Sequence, residues 1–250
     1  ALTEQVVIDV LASAFDSAGQ RCSALRVLCL QEEVADHTLT MLRGAMSECR
    51  MGNPGRLTTD IGPVIDAEAK ENIHIQAMRA KGRTVYQAVR ENSEDAREWR
   101  HGTFVPPTLI ELDSFDELKK EVFGPVLHVV RYNRNELDKL VEQINASGYG
   151  LTLGVHTRID ETIAQVTGSA KVGNLYVNRN MVGAVVGVQP FGGEGLSGTG
   201  PKAGGPLYLY RLLSSRPQDA VGVTFARQDA ERPLDAQLKT LLEKPLQALQ

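Results

Sequence analysis

Residues 126–178 alternate between strand-like and helix-like segments, and this alternation limits the fold more than any other feature of the sequence. Apolar patterns predict a strand at 126–132, a helix at 135–146, a strand at 151–157, a helix at 160–170 and a strand at 174–178. Alternating strands and helices are typical of βαβ units, in which consecutive strands run parallel. We therefore predict an α/β fold, a three-layer αβα domain around a mostly parallel sheet.

The remaining elements follow from similar patterns. Residues 4–16 carry apolar side chains at helical spacing and predict an amphipathic helix, which Gly19 would end. The short apolar run at 25–30 predicts a buried strand. Further predictions, in chain order, are a helix at 33–50, a loop at 51–63, a helix at 66–82, strands at 84–89 and 207–213, and an extended segment at 104–112.

The organisation changes after Pro217, where the sequence becomes polar. We expect one domain at 1–216, then a linker and the start of a C-terminal module at 217–250. The chain begins without Met and directly on the helical pattern of 4–16. We therefore expect it to be a piece of a longer protein.

Charge and cysteine content exclude several classes of protein. The formal net charge of −4 gives no electrostatic reason to expect nucleic acid as a partner. No apolar run reaches the roughly 18 residues of a membrane span, so no membrane contact is expected. The cysteines, Cys22, Cys29 and Cys49, have no C-x-x-C spacing, which favours a reducing, cytoplasmic compartment. The histidines show no ligand spacing, so no metal site is predicted.

Cys22 is the strongest candidate for chemistry. It lies between the predicted helix at 4–16 and the predicted strand at 25–30, and Arg21 places a positive charge beside it. A thiol next to a cation at such a junction can be an activated nucleophile, although a buried structural thiol is the plainer alternative from these residues alone. Cys29, inside an apolar strand, and Cys49, late in a helix, are predicted to be inert.

Two other motifs are ambiguous when taken singly. Glu121-Val122-Phe123-Gly124-Pro125 precedes the strand at 126–132, and by itself it favours a carboxylate capping a turn. Residues 179–206 form a long glycine-rich segment, and such segments are usually functional. The G-x-G-x-x-G at 193–198 is not interpreted as a dinucleotide fingerprint, because the following prolines and glycines prevent a helix from starting there.

In this order, the motifs together resemble the C-terminal half of the aldehyde dehydrogenase superfamily, from about residue 4 to about residue 216. The segments that carry the resemblance are Gly19-Gln20-Arg21-Cys22, Glu121-Val122-Phe123-Gly124-Pro125, Tyr149-Gly150-Leu151, Gly173-Asn174-Leu175-Tyr176-Val177-Asn178, Pro190-Phe191-Gly192-Gly193 and Ser197-Gly198. Residues 22–26, 178–187 and 198–206 further resemble the Δ1-pyrroline-5-carboxylate dehydrogenase branch, and within it the dehydrogenase modules of bifunctional proline-utilisation flavoproteins.

The resemblance implies an NAD-dependent oxidation of L-glutamate γ-semialdehyde to L-glutamate in proline catabolism. Cys22 would attack the aldehyde, and its backbone N–H would be one donor of an oxyanion hole. Glu121 would accept hydrogen bonds from the nicotinamide ribose, and Phe123 would pack beside it. The substrate would be held by Ser23, by the backbone N–H groups of Gly183 and Ala184 at its α-carboxylate, and by Phe191 along its aliphatic stem.

The resemblance also implies what lies outside the chain. In that family the NAD-binding domain, the glutamate that activates the hydrolytic water and the oxyanion-hole asparagine all precede the nucleophile. We therefore expect this chain to need the upstream half of the same protein and to be inactive alone. The resemblance further implies a homodimer joined through the strand at 207–213, and any FAD would belong to a separate domain of the parent protein. Two alternatives stay open, namely a dehydrogenase for another aldehyde and a non-catalytic oligomerisation module of the same fold.

Overall fold

In the part of the chain that the structure describes, the central sheet contains four strands, β1 (Val27–Gln31), β2 (Val85–Gln87), β3 (Thr108–Leu112) and β4 (Val126–Tyr132). Their order across the sheet is β1-β4-β3-β2, with β4 parallel to both β1 and β3 and with β2 antiparallel at the edge. Residues 126–130 of β4 are buried in succession, as expected for a central strand covered on both faces. The predicted α/β class with a mostly parallel sheet is therefore confirmed.

A computed structural model of the chain describes residues 1–78, 85–88, 99, 101–118, 120–185, 187–198, 200–205 and 208–213. The chain divides into two compact units, Ala1–Pro206 and Leu207–Gln250. Among the helices within these ranges, none has the length and apolar character needed to cross a membrane.

Within the described ranges, five α-helices accompany the strands: α1 (Thr3–Phe15), α2 (Glu32–Glu48), α3 (Ala67–Met78), α4 (Leu137–Ala146) and α5 (Asp160–Ser169). The buried residues of α2 are spaced three or four apart, so one stripe of the helix faces the core: Ala35, Thr38, Leu39, Leu42 and Met46. The core also takes in the buried residues of α1 and the central strands. Burial of this apolar stripe, rather than helix propensity, is what fixes α2 in place.

A smaller βαβ unit follows the central sheet. Strands β6 (Thr152–Val155) and β7 (Asn174–Val177) pair in parallel, and α5 connects them. Two short strands, β5 (Tyr149–Gly150) and β8 (Glu194–Gly195), pair antiparallel beside this unit. The predicted strands at 151–157 and 174–178 are thus found, but they pair with each other, while β4 bonds to β1 and β3.

The second unit overturns one prediction. Tyr208–Leu212 forms a 3-10 helix, not the strand predicted at 207–213. A strand needs a hydrogen-bonded neighbour, whereas a 3-10 turn satisfies backbone groups within the segment itself. The boundary predicted between 216 and 217, and the linker and C-terminal module predicted at 217–250, lie outside the described residues and stay predictions. The homodimer inferred from a strand at 207–213 has lost that support.

Candidate active site

The backbone before Cys22 turns in an unusual left-handed path. After α1 ends, Ser17, Ala18 and Gly19 have φ values of 56°, 53° and 64°. Each non-glycine residue in this region costs roughly 1–2 kcal/mol, so the turn holds strain that surrounding contacts must offset. The Ser17 carbonyl accepts a hydrogen bond from the Gln20 backbone N–H at 3.0 Å. The Ser17 hydroxyl accepts another from Arg21 Nε at 3.0 Å.

Gly19 is required at this position because of a close backbone approach. A Cβ added to Gly19 would collide with the carbonyl oxygen of Gly124, and it would lie 2.6 Å from the carbonyl carbon of Gly124 and 2.8 Å from the carbonyl oxygen of Ala14. All three atoms belong to the backbone and cannot rotate away. The turn that precedes Cys22 is thereby pressed against the Glu121–Pro125 motif.

Cys22 lies in a tight turn that follows this path. The Arg21 carbonyl accepts a hydrogen bond from the Ala24 backbone N–H at 3.1 Å, which leaves Cys22 and Ser23 as the two central residues of the turn. Cys22 is exposed, whereas Ser23 is buried. The predicted nucleophile is therefore accessible, and the alternative of a buried structural thiol does not describe it.

Arg26 joins the Cys22 turn to the Glu121 motif. Its guanidinium donates from Nε to Glu121 Oε1 at 2.9 Å, from Nη1 to the Gly19 carbonyl at 2.6 Å, and from Nη2 to the Arg21 carbonyl at 3.1 Å. The same group lies over the Phe123 ring, with its Cζ 4.6 Å from the ring centroid. A planar guanidinium suits this combination of forked hydrogen bonding and stacking, which an ammonium group does not reproduce.

The environment of Arg26 is a compromise between burial and charge pairing. Burial lowers the pKa of Arg26, and the hydrogen bond and charge of Glu121, followed by the charge of Cys22, act in the opposite direction. An arginine remains protonated at neutral pH, so a fixed positive charge lies where it interacts with both Cys22 and Glu121. Arg26 therefore places a positive charge between the Cys22 turn and the Glu121 motif.

The outer side of the Glu121 motif borders an open cavity of about 810 Å³. Glu121 and Phe123 line it together with their neighbours Lys120 and Val122 and with residues from two other segments: Ser17, Gln20, Ile65, Ala69, Asn72 and Ile73. The Glu121 side chain is 38% exposed, and the Phe123 residue is 46% exposed. A half-exposed carboxylate beside an exposed ring fits a ligand that combines a vicinal diol with a flat aromatic group.

The glycine-rich loop begins close to the Cys22 segment. The Ser13 hydroxyl accepts a hydrogen bond from the Met181 backbone N–H at 3.1 Å, and the Ser13 carbonyl accepts one from the Leu25 backbone N–H at 2.8 Å. Gly183 is exposed, has a φ of 76°, and has open space around the position of a Cβ. Gly183 thus has open space beside its backbone, which an anion-binding loop at 183–184 would need.

Phe191 is held further along the same loop. Its backbone forms a two-way bridge with Ala203, with N–O distances of 2.9 and 2.8 Å. The described contacts connect Phe191 to this bridge, so its predicted role along the substrate stem stays a prediction.

The G-x-G-x-x-G at 193–198 does not open a helix. Glu194 and Gly195 pair with β5, and no helix begins among residues 193–198 and 200–205 as far as the structure describes them. The glycines here serve close packing, since a Cβ on Gly193 would lie 2.7 Å from the Ser197 carbonyl oxygen. The prediction that no helix starts at this motif therefore holds for the described residues.

The two other cysteines have different surroundings. Burial raises the pKa of the Cys29 thiol, which lies on β1, to about 12. Cys49 is partly buried after α2, and its Sγ lies 3.7 Å from the Ala45 carbonyl. Within the described ranges, no group of three potential ligands from His, Cys, Asp and Glu is placed to hold a metal ion.

Two connecting residues were not assigned a role from the sequence. Arg26 could have been noticed, because a charged residue that opens an apolar strand needs a specific partner. Ser13 gave no such signal, because a serine inside a helix is most often only exposed or bonded to its own helix.

Three comparisons relate the chain to known proteins. Residues 1–216 match the aldehyde dehydrogenase family. The chain is 99% identical to a bifunctional protein PutA from Klebsiella aerogenes, across 100% of this chain and 19% of that protein. It is 36% identical to a 1-pyrroline-5-carboxylate dehydrogenase from Bacillus cereus, across 80% of this chain and 38% of that protein. A crystal structure of a proline utilization A variant from Bradyrhizobium japonicum superposes with a TM-score of 0.77 at 51% identity, covering 84% of this chain and 21% of that one.

Proposed function

Because the chain belongs to the aldehyde dehydrogenase family, we propose that it forms the cysteine-bearing part of an NAD-dependent L-glutamate γ-semialdehyde dehydrogenase. The substrate would be the open form of Δ1-pyrroline-5-carboxylate, and the product would be L-glutamate. The names of two similar proteins support this substrate, namely a bifunctional PutA and a 1-pyrroline-5-carboxylate dehydrogenase. The chain spans about a fifth of the length of the PutA relative, so the activity is proposed for the larger protein.

One observation carries the proposal. Arg26 connects the exposed Cys22 turn to Glu121 and Phe123, although these segments are nearly 100 residues apart in sequence. A nucleophile next to a carboxylate and an open aromatic face is the arrangement that thiol-dependent oxidation of an aldehyde requires. A purely structural module has no need to hold an exposed thiol there.

In the first step, the Cys22 thiolate would attack the aldehyde carbon. The S–C bond forms as the carbonyl π pair moves to oxygen, which gives a thiohemiacetal anion. The backbone N–H of Cys22 would donate to this oxygen from its position in the turn. The strained left-handed path before Cys22 and the contact of Gly19 with Gly124 would fix the direction of that N–H.

NAD, when bound, would accept the hydride, so that the oxidised carbon remains on Cys22 as a thioester. Hydrolysis of the thioester by water would then release the acid. On this chain, the oxygen of Glu121 that is not paired with Arg26 would accept hydrogen bonds from the ribose hydroxyls. Phe123 would pack against the nicotinamide–ribose end. The pairing with Arg26 would keep the Glu121 carboxylate oriented before the cofactor binds.

The α-carboxylate of the substrate would bind the backbone N–H groups of Gly183 and Ala184. Open space around Gly183 and its left-handed φ support this assignment, because a side chain there would block the approach of an anion. Ser23 would contribute its hydroxyl from the same turn as Cys22, and Phe191 would contact the aliphatic stem.

The remaining catalytic parts would come from outside this chain. We assign most of the NAD site, the general base and the second oxyanion donor to the upstream half of the same cytoplasmic protein, and its being a homodimer rests on the family resemblance alone. Any FAD would belong to another domain of that protein. We therefore expect the 250-residue chain alone to show no dehydrogenase activity.

The test uses the complete gene product. NADH formation from pyrroline-5-carboxylate is followed at 340 nm for the native protein, for Cys22→Ala and for the control Cys49→Ala. We expect turnover in the native protein and the control, and none with Cys22→Ala. Turnover that survives Cys22→Ala would move the chemistry to another residue. If the native protein is inactive with pyrroline-5-carboxylate but oxidises another aldehyde, the first alternative is favoured. If it oxidises no aldehyde, the non-catalytic alternative is favoured.

A further inference from the structure

We propose that one face of α1 positions the glycine-rich loop of the substrate site, and that Ser13 is the main positioning residue on that face. The inference rests on the proposed function, since it assigns a purpose to residues 183–184. It concerns residues that touch neither the thiol nor the substrate, and it explains how a distant loop is held at the nucleophile.

Three polar side chains of α1 bond across to the same region. Gln5 Nε2 donates to the Asn178 carbonyl at 2.8 Å, Asp9 Oδ2 lies 2.9 Å from His156 Nε2, and Ser13 Oγ accepts from the Met181 N–H at 3.1 Å. Residues four apart lie on one face of a helix. Gln5, Asp9 and Ser13 therefore form a continuous polar stripe, which we call the α1 seam.

The partners of the α1 seam lie where β6 and β7 end and the loop begins. His156 follows β6, and Asn178 follows β7 with a left-handed φ of 53°. The Asn178 side chain forms two hydrogen bonds of 2.9 Å with the backbone N–H and carbonyl of Thr157, which joins the two strand ends. The α1 seam thus contacts the ends of β6 and β7, from which residues 179–185 continue.

Ser13 is the member of the seam that connects both sides of the site. Its hydroxyl holds Met181, two residues before Gly183, and its carbonyl holds Leu25, three residues after Cys22. Ser13 is 3% exposed and Met181 is 8% exposed, so water cannot readily replace the hydroxyl as the acceptor for the Met181 N–H. Loss of the hydroxyl should therefore displace the loop relative to the thiol.

A displaced loop should affect substrates unequally. Only a substrate with an α-carboxylate uses the backbone N–H groups at 183–184, whereas every aldehyde uses Cys22. The seam should therefore support selectivity for the carboxylated substrate more than it supports the chemical step. A role in folding alone would not distinguish the two kinds of aldehyde.

The experiment compares pyrroline-5-carboxylate with pentanal, which has the same carbon chain and no carboxylate, in the complete protein at high enzyme concentration. The variants are Ser13→Ala, Gln5→Ala and the control Thr38→Val, which removes a buried hydroxyl that donates to the Val34 carbonyl within α2. With Ser13→Ala we expect KM for pyrroline-5-carboxylate to rise about five-fold to ten-fold, as for the loss of one hydrogen bond. Kinetic constants for pentanal should change by less than about two-fold.

Gln5→Ala keeps the test valid if Ser13→Ala does not fold, because Gln5 is exposed. It should shift selectivity in the same direction by a smaller factor, and Thr38→Val should leave the ratio of the two substrates unchanged. Equal effects on both aldehydes, or no effect from either seam variant, would overturn the inference. A native protein that does not oxidise pyrroline-5-carboxylate at all would instead refute the proposed function, and the inference with it.

Discussion

Gly19→Ala should be strongly destabilising, and it tests the reasoning about the nucleophile turn most directly. The new methyl group would meet the Gly124 carbonyl and lie 2.8 Å from the Ala14 carbonyl oxygen. Forced overpacking of this kind costs about 1–3 kcal/mol, and the left-handed φ of 64° adds roughly 1 kcal/mol for a residue with a Cβ. The two contributions predict a loss of about 2–4 kcal/mol of unfolding free energy.

Gly44→Ala is the matched control for this substitution. Gly44 is exposed within α2, and nothing lies within 4 Å of the position of its Cβ. Alanine at an unobstructed helical position should stabilise the chain by about 0.5–1 kcal/mol. The same chemical change is therefore expected to have opposite signs at the two glycines.

Urea unfolding, followed by fluorescence, measures both effects. The chain contains 1 tryptophan, Trp99, whose Nε1 donates to the Met51 carbonyl at 2.7 Å, so its emission reports on the first unit. The rate of Cys22 alkylation by iodoacetamide is measured in parallel, and it should change in Gly19→Ala but not in Gly44→Ala. If Gly19→Ala unfolds within about 0.5 kcal/mol of the native chain, the close approach to Gly124 does not constrain the turn and the argument fails.

Two further predictions concern charged groups. In the complete protein, Glu121→Gln should raise KM for NAD about ten-fold, because it weakens a charge-assisted hydrogen bond. The control is Glu111→Gln, which changes another arginine-paired glutamate, on β3, and should leave KM for NAD unchanged. Equal KM values in the two variants would remove Glu121 from the cofactor site. Burial lowers the pKa of His128 below its ordinary 6.5, so the unfolded chain binds a proton more readily and stability should fall as pH drops below about 6.5. Urea titrations between pH 5 and pH 8 should show this loss, with a slope of at most about 1.4 kcal/mol per pH unit, and a His128→Gln variant with an undiminished slope would contradict it.

The sequence predicted the strands and helices with internal apolar periodicity well. The buried run of β4 and the spacing in α2 specify their structures locally, and both were found. The segment at 207–213 also alternates, but alternation records only which faces differ in polarity and does not supply a neighbouring strand. Its 3-10 geometry at Tyr208–Leu212 could not be predicted from that pattern.

The site could be predicted only as separate motifs. Cys22, Glu121 and Gly183 were each identified, but the contacts that join them pass through Arg26 and Ser13, whose partners lie 95 and 168 residues away in sequence. Hydrogen bonds between residues so distant leave no periodic signal in a single sequence. The left-handed φ at Ala18 could not be predicted either, because alanine rarely adopts it and no neighbouring residue in the sequence requires it.

The placement of Ser13 and Arg26 suggests why the segment that carries Cys22 is built as it is. Ser13 lies at the end of α1 and Arg26 lies just before β1, so a single stretch of chain carries the thiol between its two anchors. One anchor binds the side of the site assigned to the cofactor, and the other binds the side assigned to the substrate carboxylate. Among the residues that the structure describes, the Arg26 and Ser13 side chains share no hydrogen-bond partner, so each side can be altered without moving the other. Under the proposed function, such an arrangement would let the loop at 179–185 change with the aldehyde, while Cys22, Arg26 and Glu121 keep the same relative positions.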